Sequence, residues 1–304
     1  MSQSIPKTTK NVENRRKLGA NDVLVKFHAA SLNFRDLIIP KGQYPFALRD
    51  GIIPGSDGAG EVLAVGSKVT RFTPGAKVVT LFSQTHYGGS LDHLSVQSGL
   101  GGAVDGTLRQ HGIFNENGLV DMPTSLSYLE AATLPCAAVT AWNALYGLKP
   151  VKPGDVVLTQ GTGGVSIFAV QFAKAAGQPM GAHAKSLTPL SAGVTHILEV
   201  GGATTMAQSL KAIKIDGVIS IIGFVGGQAK EKEPGFLDCL INICTVRGLL
   251  VGSREMFEDM NRAIDASGIK PVVDEKVFGL DELKEAYQYM WDQKHFGKLA
   301  IKIE

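Results

Sequence analysis

The sequence predicts an α/β chain of two domains, one mostly β and one a doubly wound parallel sheet, and three observations carry that prediction. Residues Asp155 to Gly177, DVVLTQGTGGVSIFAVQFAKAAG, join an apolar run, a glycine-dense turn and an amphipathic helix without a break. Asp22 to Val96 alternate short β-rich runs with Gly and Pro punctuation. Further along, strand-like and helix-like segments alternate as βαβ units do.

In the first domain VLVKFHAASL, GEVLAVG and KVVTLF read as strands, and helical signal is sparse. After Pro123 the texture changes: LSYLEAATLPCAAVTAWNALYGL predicts two helices separated near Pro135, and PVKPGD leads into the next strand. Val156 to Thr159 then read as a buried parallel strand and Val165 to Ala176 as a helix. THILEV, GVISIIGF and TVRGLLVG read as further strands, MAQSLKAIKI and REMFEDMNRAIDAS as helices. The closing LAIKI alternates with period 2 and suits pairing with the first domain. These readings place a first domain over residues 1–125, a second over 126–266, and a return to the first over 267–304.

Strand, glycine turn and helix in that order are how a dinucleotide phosphate is bound. Gly161, Gly163 and Gly164 let the backbone turn and approach a pyrophosphate, and the amides at the helix start, Val165 among them, face it. With 36 glycines, triplets arise by chance, so the context decides against an ordinary tight turn. Ser166 takes the third fingerprint position as a small residue.

The bulk properties narrow the partners. At 304 residues two domains are the default, taking about 150 residues for each. Lys plus Arg at 30 against Asp plus Glu at 28 leave a net charge of +2, too small to argue for nucleic acid or an anionic membrane. A small-molecule ligand fits better. Cys136, Cys239 and Cys244 are odd in number and set among apolar neighbours, which argues against a disulfide framework and for a reducing compartment. No run approaches the roughly 18 apolar residues of a membrane span, and MSQSIPKTTKNVENRRKLG lacks the apolar core of a signal peptide. The expectation is a soluble cytoplasmic protein.

The motifs SLNFRD, YPF, PGSDGAGEVLAVGSKVTRFTPGAKVV, ATLPCAAVTAWNAL and GTGGVS, in that order, resemble the medium-chain dehydrogenase/reductase superfamily on its zinc-independent, quinone-oxidoreductase-like branch, which includes zinc-type alcohol dehydrogenase-like proteins. The resemblance runs over most of Asn21 to Glu304. It implies a GroES-like β domain closed by the C-terminal strand, a Rossmann domain, the cofactor NADP(H), and a homodimer.

Carried onto this chain, the resemblance puts Asn33 and Tyr44 beside the nicotinamide, where each can hydrogen-bond a substrate oxygen or stabilise an enolate. Tyr44 can equally be a packing tyrosine, and Asn33 a loop cap. Asp57 is a weaker candidate that supports the loop. Thr140, Gly161, Gly163, Gly164, Val165 and Gly223 match cofactor contacts. Val251, Gly252 and Ser253 match a second contact loop, and Lys298 matches a basic position that approaches the cofactor. Asn33, Ser56 and Cys136 stand where zinc-dependent members place Cys, His and Cys, so one ligand of three survives and no catalytic zinc is expected. Cys136 then reads as a buried small hydrophobe. His86 and His93 read as solvated loop histidines, and His111 and His295 carry no assigned role.

One stretch departs from the pattern. A Rossmann unit needs a second strand soon after its first helix, with the residue that reads the adenosine ribose about 20 residues past the first glycine. GQPMGAHAKSLTPLSAG, near 177–193, has no strand-like apolar run, and no acidic residue lies between Asp155 and Glu199. About 50 residues of βαβα structure are missing there relative to the family, and NVENRRKLG stands in place of an opening hairpin. The glycine-turn strand is then expected at an exposed sheet edge. Lys185 and Ser186 could read a 2′-phosphate; the missing acid suits NADP(H) but also a missing strand. Three functions stay open: an NADP(H)-dependent zinc-independent reductase of quinone or activated C=C substrates, an alcohol dehydrogenase, and an inactive or nonenzymatic nucleotide-binding isoform.

Overall fold

The computed structural model describes residues 18–46, 48–177, 180–182, 193–227 and 233–304. The chain divides into two compact units, Met1–Val139 with Gly252–Glu304, and Thr140–Val251. These boundaries differ from the expected 125/126 and 266/267 because flanking helices belong to the β unit. Asn261 Nδ2 donates to Asp121 O at 2.9 Å, and Asp265 accepts from the backbone of Thr124 and Ser125 at 3.1 Å.

The strands are β1 (Asp22–Ser31), β2 (Asp57–Val65), β3 (Lys77–Thr80), β4 (His111–Asn115), β5 (Leu119–Asp121), β6 (Val157–Thr159), β7 (Met180–Ala182), β8 (Val194–Glu199), β9 (Ile213–Ile221), β10 (Thr245–Gly248), β11 (Phe278–Gly279) and β12 (Ala300–Lys302). The helices are α1 (Phe34–Ile38), α2 (His93–Val96), α3 (Tyr128–Ala131), α4 (Val139–Tyr146), α5 (Gly164–Ala175), α6 (Met206–Ala212), α7 (Phe236–Ile241), α8 (Arg254–Ser267) and α9 (Leu283–Trp291).

The β unit is built on one sheet in the order β11-β12-β1-β2-β3-β5, with β4 also paired to β1. Along β1 buried and half-buried residues alternate, as period 2 requires, which sends Val23, Val25 and Phe27 into the core. Phe27 meets Phe114 edge to face at 5.7 Å, and Phe72, Leu119, Phe278 and Ile301 complete that core. LAIKI pairs where its pattern suggested: Ala300 to Lys302 lie antiparallel to Ala29 to Ser31.

The second unit holds a parallel sheet in the order β10-β9-β8-β6-β7. All six residues of β8 are buried, as a parallel strand covered on both faces demands. Two sequence expectations need correction here. Met180 to Ala182 do form a strand, paired in parallel with Val157 to Thr159, so β6 lies inside the sheet and not at its edge. A three-residue outer strand is held by backbone hydrogen bonds and needs no apolar run, so hydrophobic patterning could not reveal it. Lys185 and Ser186 lie outside the described residues. The described sheet has five strands where the doubly wound order uses six.

One helix reading holds and one shifts. The segment after Pro123 forms two helical stretches separated just before Pro135: α3 ends at Ala131, and a π-helical stretch, Leu134–Ala138, runs into α4, the missing N–H of Pro135 costing little in its first turn. In MAQSLKAIKI the helix stops at Ala212 and Ile213 already belongs to β9.

Candidate active site

The order β12-β1-β2 gathers four polar residues within the β unit. Ser31 pairs with Asp57 on one side and Ala300 on the other, so the end of β1, the start of β2 and the approach to β12 converge. Lys298 Nζ donates to Asn33 Oδ1 at 2.6 Å and Leu32 O at 2.7 Å, and reaches Asp57 Oδ2 at 3.5 Å. Asn33 Nδ2 donates to Ser56 Oγ at 3.3 Å, and Ser56 Oγ donates to Asp57 Oδ1 at 2.7 Å. Ser56 and Asp57 have no exposed surface, Lys298 4% and Asn33 8%.

Asn33 is also the N-cap of α1, its backbone N–H donating to Asp36 Oδ2 at 2.8 Å. Arg35, the second residue of α1, donates from Nε to the Tyr44 hydroxyl at 3.2 Å and from Nη1 to Leu100 O at 2.7 Å, and stacks over the Tyr44 and Phe82 rings. Desolvation raises the Tyr44 hydroxyl above its ordinary range, with Arg35 opposing, so it stays protonated and can donate. Desolvation, then Asp57, pushes the Cys136 thiol up to about 12. Cys136 is half-buried, not fully buried as expected.

Desolvation also raises Asp36 to about 6, Arg35 opposing it, and its Oδ1 has no partner among the described residues. Between about pH 4 and 6 the unfolded carboxyl ionises while the folded one keeps its proton, so stability falls as pH rises through that window. Asp36→Asn still accepts from the Asn33 N–H and is expected to remove a loss of up to about 3 kcal/mol, read by urea unfolding across the window. A slope that survives the substitution would contradict this assignment.

In the second unit the turn between β6 and α5 forms an open cradle. Gly161 has φ 71°, and a Cβ at Gly161 or at Gly163, the N-cap of α5, would meet nothing within 4 Å. The first N–H groups of α5, at Gly164 and Val165, have no intrahelical acceptor and carry the positive end of the helix dipole. The chain leaves β6 for β7 on one side and returns to β8 on the other, the switch point at which open α/β sheets bind ligands.

Two residues there escaped the sequence reading. Gln160 Oε1 accepts from Val200 N and Gly201 N at 2.9 Å, and its Nε2 donates to Glu199 Oε2 at 2.7 Å. Glu199 is fully buried and also accepts from Gly202 N, Thr205 and Ser209. Ser166 Oγ donates to Gln160 O at 2.6 Å, which ties the turn to its helix. The only signal was a glutamine directly before the first glycine.

The remaining expected contacts are scattered more widely. Thr140 is buried in the first turn of α4, and Gly223 follows β9, where a Cβ would stand 3.0 Å from Val200 O. Val251 adopts φ 51°, which β-branched residues avoid, and Asn143 Nδ2 holds its carbonyl at 2.7 Å. Gly252 follows it in the β unit, and the buried Ser253 uses its hydroxyl to cap α8 on Met256 N.

Comparison with known proteins agrees with this architecture. Residues 19–124 match the alcohol dehydrogenase GroES-like domain family, and residues 179–301 the zinc-binding dehydrogenase family. A zinc-type alcohol dehydrogenase-like protein of Schizosaccharomyces pombe is 44% identical over 95% of this chain and 93% of its own length. The chain belongs to the medium-chain dehydrogenase/reductase superfamily. That alignment spans 322 positions against a chain of 304 residues, so this dehydrogenase relative carries segments that the present chain lacks. A solved structure from Sinorhizobium meliloti, described as an alcohol dehydrogenase, superposes with a TM-score of 0.85 at 34% identity, covering 94% of this chain and 92% of that one. An acryloyl-coenzyme A reductase of Metallosphaera sedula is 26% identical over 94% of this chain and 93% of its length. The chain is therefore an oxidoreductase of this superfamily, with a GroES-like domain and a Rossmann-like domain, acting on a small molecule with a nicotinamide cofactor.

The family names raise the question of zinc, and the donor set does not fit it. Asn33 and Ser56 spend their polar atoms on each other and on charged neighbours, Cys136 holds its proton, and an ammonium already contacts Asn33. Among the described residues no group of three His, Cys, Asp or Glu could hold a metal ion. His86 is buried, not solvated as expected, with Nε2 on Gly89 O at 3.1 Å, while His93 is exposed. A dinucleotide does fit: the open backbone at Gly161 and Gly163 leaves room for a pyrophosphate against the amides of Gly164 and Val165. Among the described residues no helix is long and apolar enough to cross a membrane.

Proposed function

We propose that the chain is an NADP(H)-dependent, zinc-independent reductase of quinones or of activated C=C bonds in enone or enoyl substrates. The observation that carries this reading is the hydrogen-bonded set Lys298, Asn33, Ser56 and Asp57, in which Asn33 and Ser56 stand at two of the family's three metal-ligand positions. Bound nicotinamide supplies a hydride. Asn33 Nδ2–H and the protonated Tyr44 hydroxyl donate to the acceptor's carbonyl oxygen, where negative charge gathers as the β-carbon is reduced. Arg35 holds Tyr44 in place. Gly161, Gly163, Gly164 and Val165 seat the pyrophosphate, and Thr140, Gly223, Val251, Gly252 and Ser253 contact the nicotinamide half.

The absence of an acidic residue between Asp155 and Glu199 favours NADP(H), since nothing in that segment repels a 2′-phosphate. Alcohol oxidation fits less well, because Asn33, Ser56 and Cys136 are a poor donor set for a metal that would polarise an alcohol oxygen. A homodimer in the cytoplasm completes the reading. The outer edge of β10 and the neighbouring α7, with Phe236 96%, Leu237 69%, Leu240 69% and Ile241 75% exposed, offer an edge and an apolar face that water does not favour.

The shortened segment after α5 supports a second reading, a fold that no longer binds nucleotide. Titration with NADPH and NADH, read by fluorescence and thermal shift, separates the two. Selective tight binding of NADPH, with stability rising with the logarithm of its concentration, fits the reductase; a folded chain that binds neither fits the inactive isoform.

A further inference from the structure

We infer that Lys298 is a positioning residue for the reaction proposed above, fixing the Asn33 amide so that one Nδ2–H stands ready for a substrate oxygen; the inference rests on that reading. An ammonium has three donors and no acceptor. Its three acceptors are Leu32 O, Asn33 Oδ1 and Asp57 Oδ2. All three N–H groups are thus committed, and none remains for a cofactor phosphate unless a partner is given up.

Those bonds dictate the sense of every proton around the site. The amide atom facing an ammonium must be the oxygen, so Asn33 Nδ2 turns to Ser56. A carboxylate only accepts, so the Ser56 hydroxyl hydrogen goes to Asp57 Oδ1. Asp57 Oδ2 returns to Lys298 and closes a ring of four residues: Asp57 at the start of β2, and Asn33, Ser56 and Lys298 in the segments that adjoin β1, β2 and β12. One Nδ2–H of Asn33 serves Ser56, and the other has no acceptor among the described residues. Burial makes each ring bond strong and removes the freedom of the amide to flip. The ring therefore holds a donor aimed without the reorganisation that a mobile amide needs at each turnover.

The test compares Lys298→Met, Lys298→Arg, Asn33→Ala and the double Lys298→Met/Asn33→Ala. Lys298→Met is expected to lower kcat roughly 30-fold while the NADPH Kd moves less than about threefold, and Lys298→Arg, which still only donates, to recover some of the lost kcat. The double variant is expected to be no slower than Asn33→Ala alone, because both changes disable one device. A Lys298→Met variant with normal kcat and NADPH affinity weakened about tenfold or more would make the lysine a cofactor ligand and overturn the inference. So would losses in kcat that multiply in the double variant. If the single lysine variant does not fold, Lys298→Met/Asp57→Asn removes both buried charges together and gives the same readouts. If the wild-type chain reduces no acceptor, the proposed function fails by itself. The ring is then judged by thermal unfolding, where non-additive losses for Lys298→Met and Asn33→Ala support it and additive losses overturn it.

Discussion

Asn33→Ala is expected to reduce turnover roughly 10²-fold, as removal of one aimed donor to a developing oxyanion does. NADPH affinity should fall far less, since a single neutral hydrogen bond to the nicotinamide side is worth only about 1 kcal/mol. Asn33→Asp sharpens the point. A carboxylate still accepts from Lys298 but donates nothing to Ser56 or substrate, and its charge opposes an enolate, so its loss should equal or exceed that of alanine. Steady-state rates with an enone acceptor, together with an NADPH titration of each variant, check both statements. Near wild-type turnover in Asn33→Ala would remove Asn33 from the chemistry.

Gly163→Asp should separate cofactor binding from stability with opposite signs. Gly163 is the N-cap of α5, its φ is −76°, and a Cβ there meets nothing within 4 Å, so aspartate can enter without strain. Its carboxylate would cap α5 and favour the positive end of the helix dipole, stabilising the unliganded chain by about 0.5–1 kcal/mol. The same carboxylate occupies the proposed pyrophosphate position and should weaken NADPH by about 10² or more, given charge repulsion where a phosphate must approach. Thermal melts with and without NADPH read both effects at once. An unchanged NADPH shift in Gly163→Asp would place the phosphate elsewhere.

What the sequence could reveal depended on whether local pattern or long-range register set each feature. REMFEDMNRAIDAS is the helix Arg254–Ser267, because its apolar stripe, the Ser253 cap and Gly268 in the left-handed region at its end are all local. The GTGGVS turn was legible for the same reason, and LAIKI found β1 through its alternation. Met180 to Ala182 were missed because an edge strand of three residues is held by backbone pairing alone. The Gln160 and Glu199 network stayed hidden since 39 residues separate them in sequence and only the pairing of β6 with β8 joins them. Lys298 shows the limit of motif matching. The motif located the residue, but the order β12-β1-β2 turns its ammonium onto Asn33 and Asp57.

The most direct test of zinc-independent reduction is NADPH oxidation by chelator-treated protein with an enone or quinone acceptor, with zinc content measured on the same sample. Sustained turnover at zinc far below one ion per chain is the predicted result. Turnover that disappears on chelation and returns in proportion to added zinc would contradict the account, because Asn33, Ser56 and Cys136 would then have to act as metal ligands.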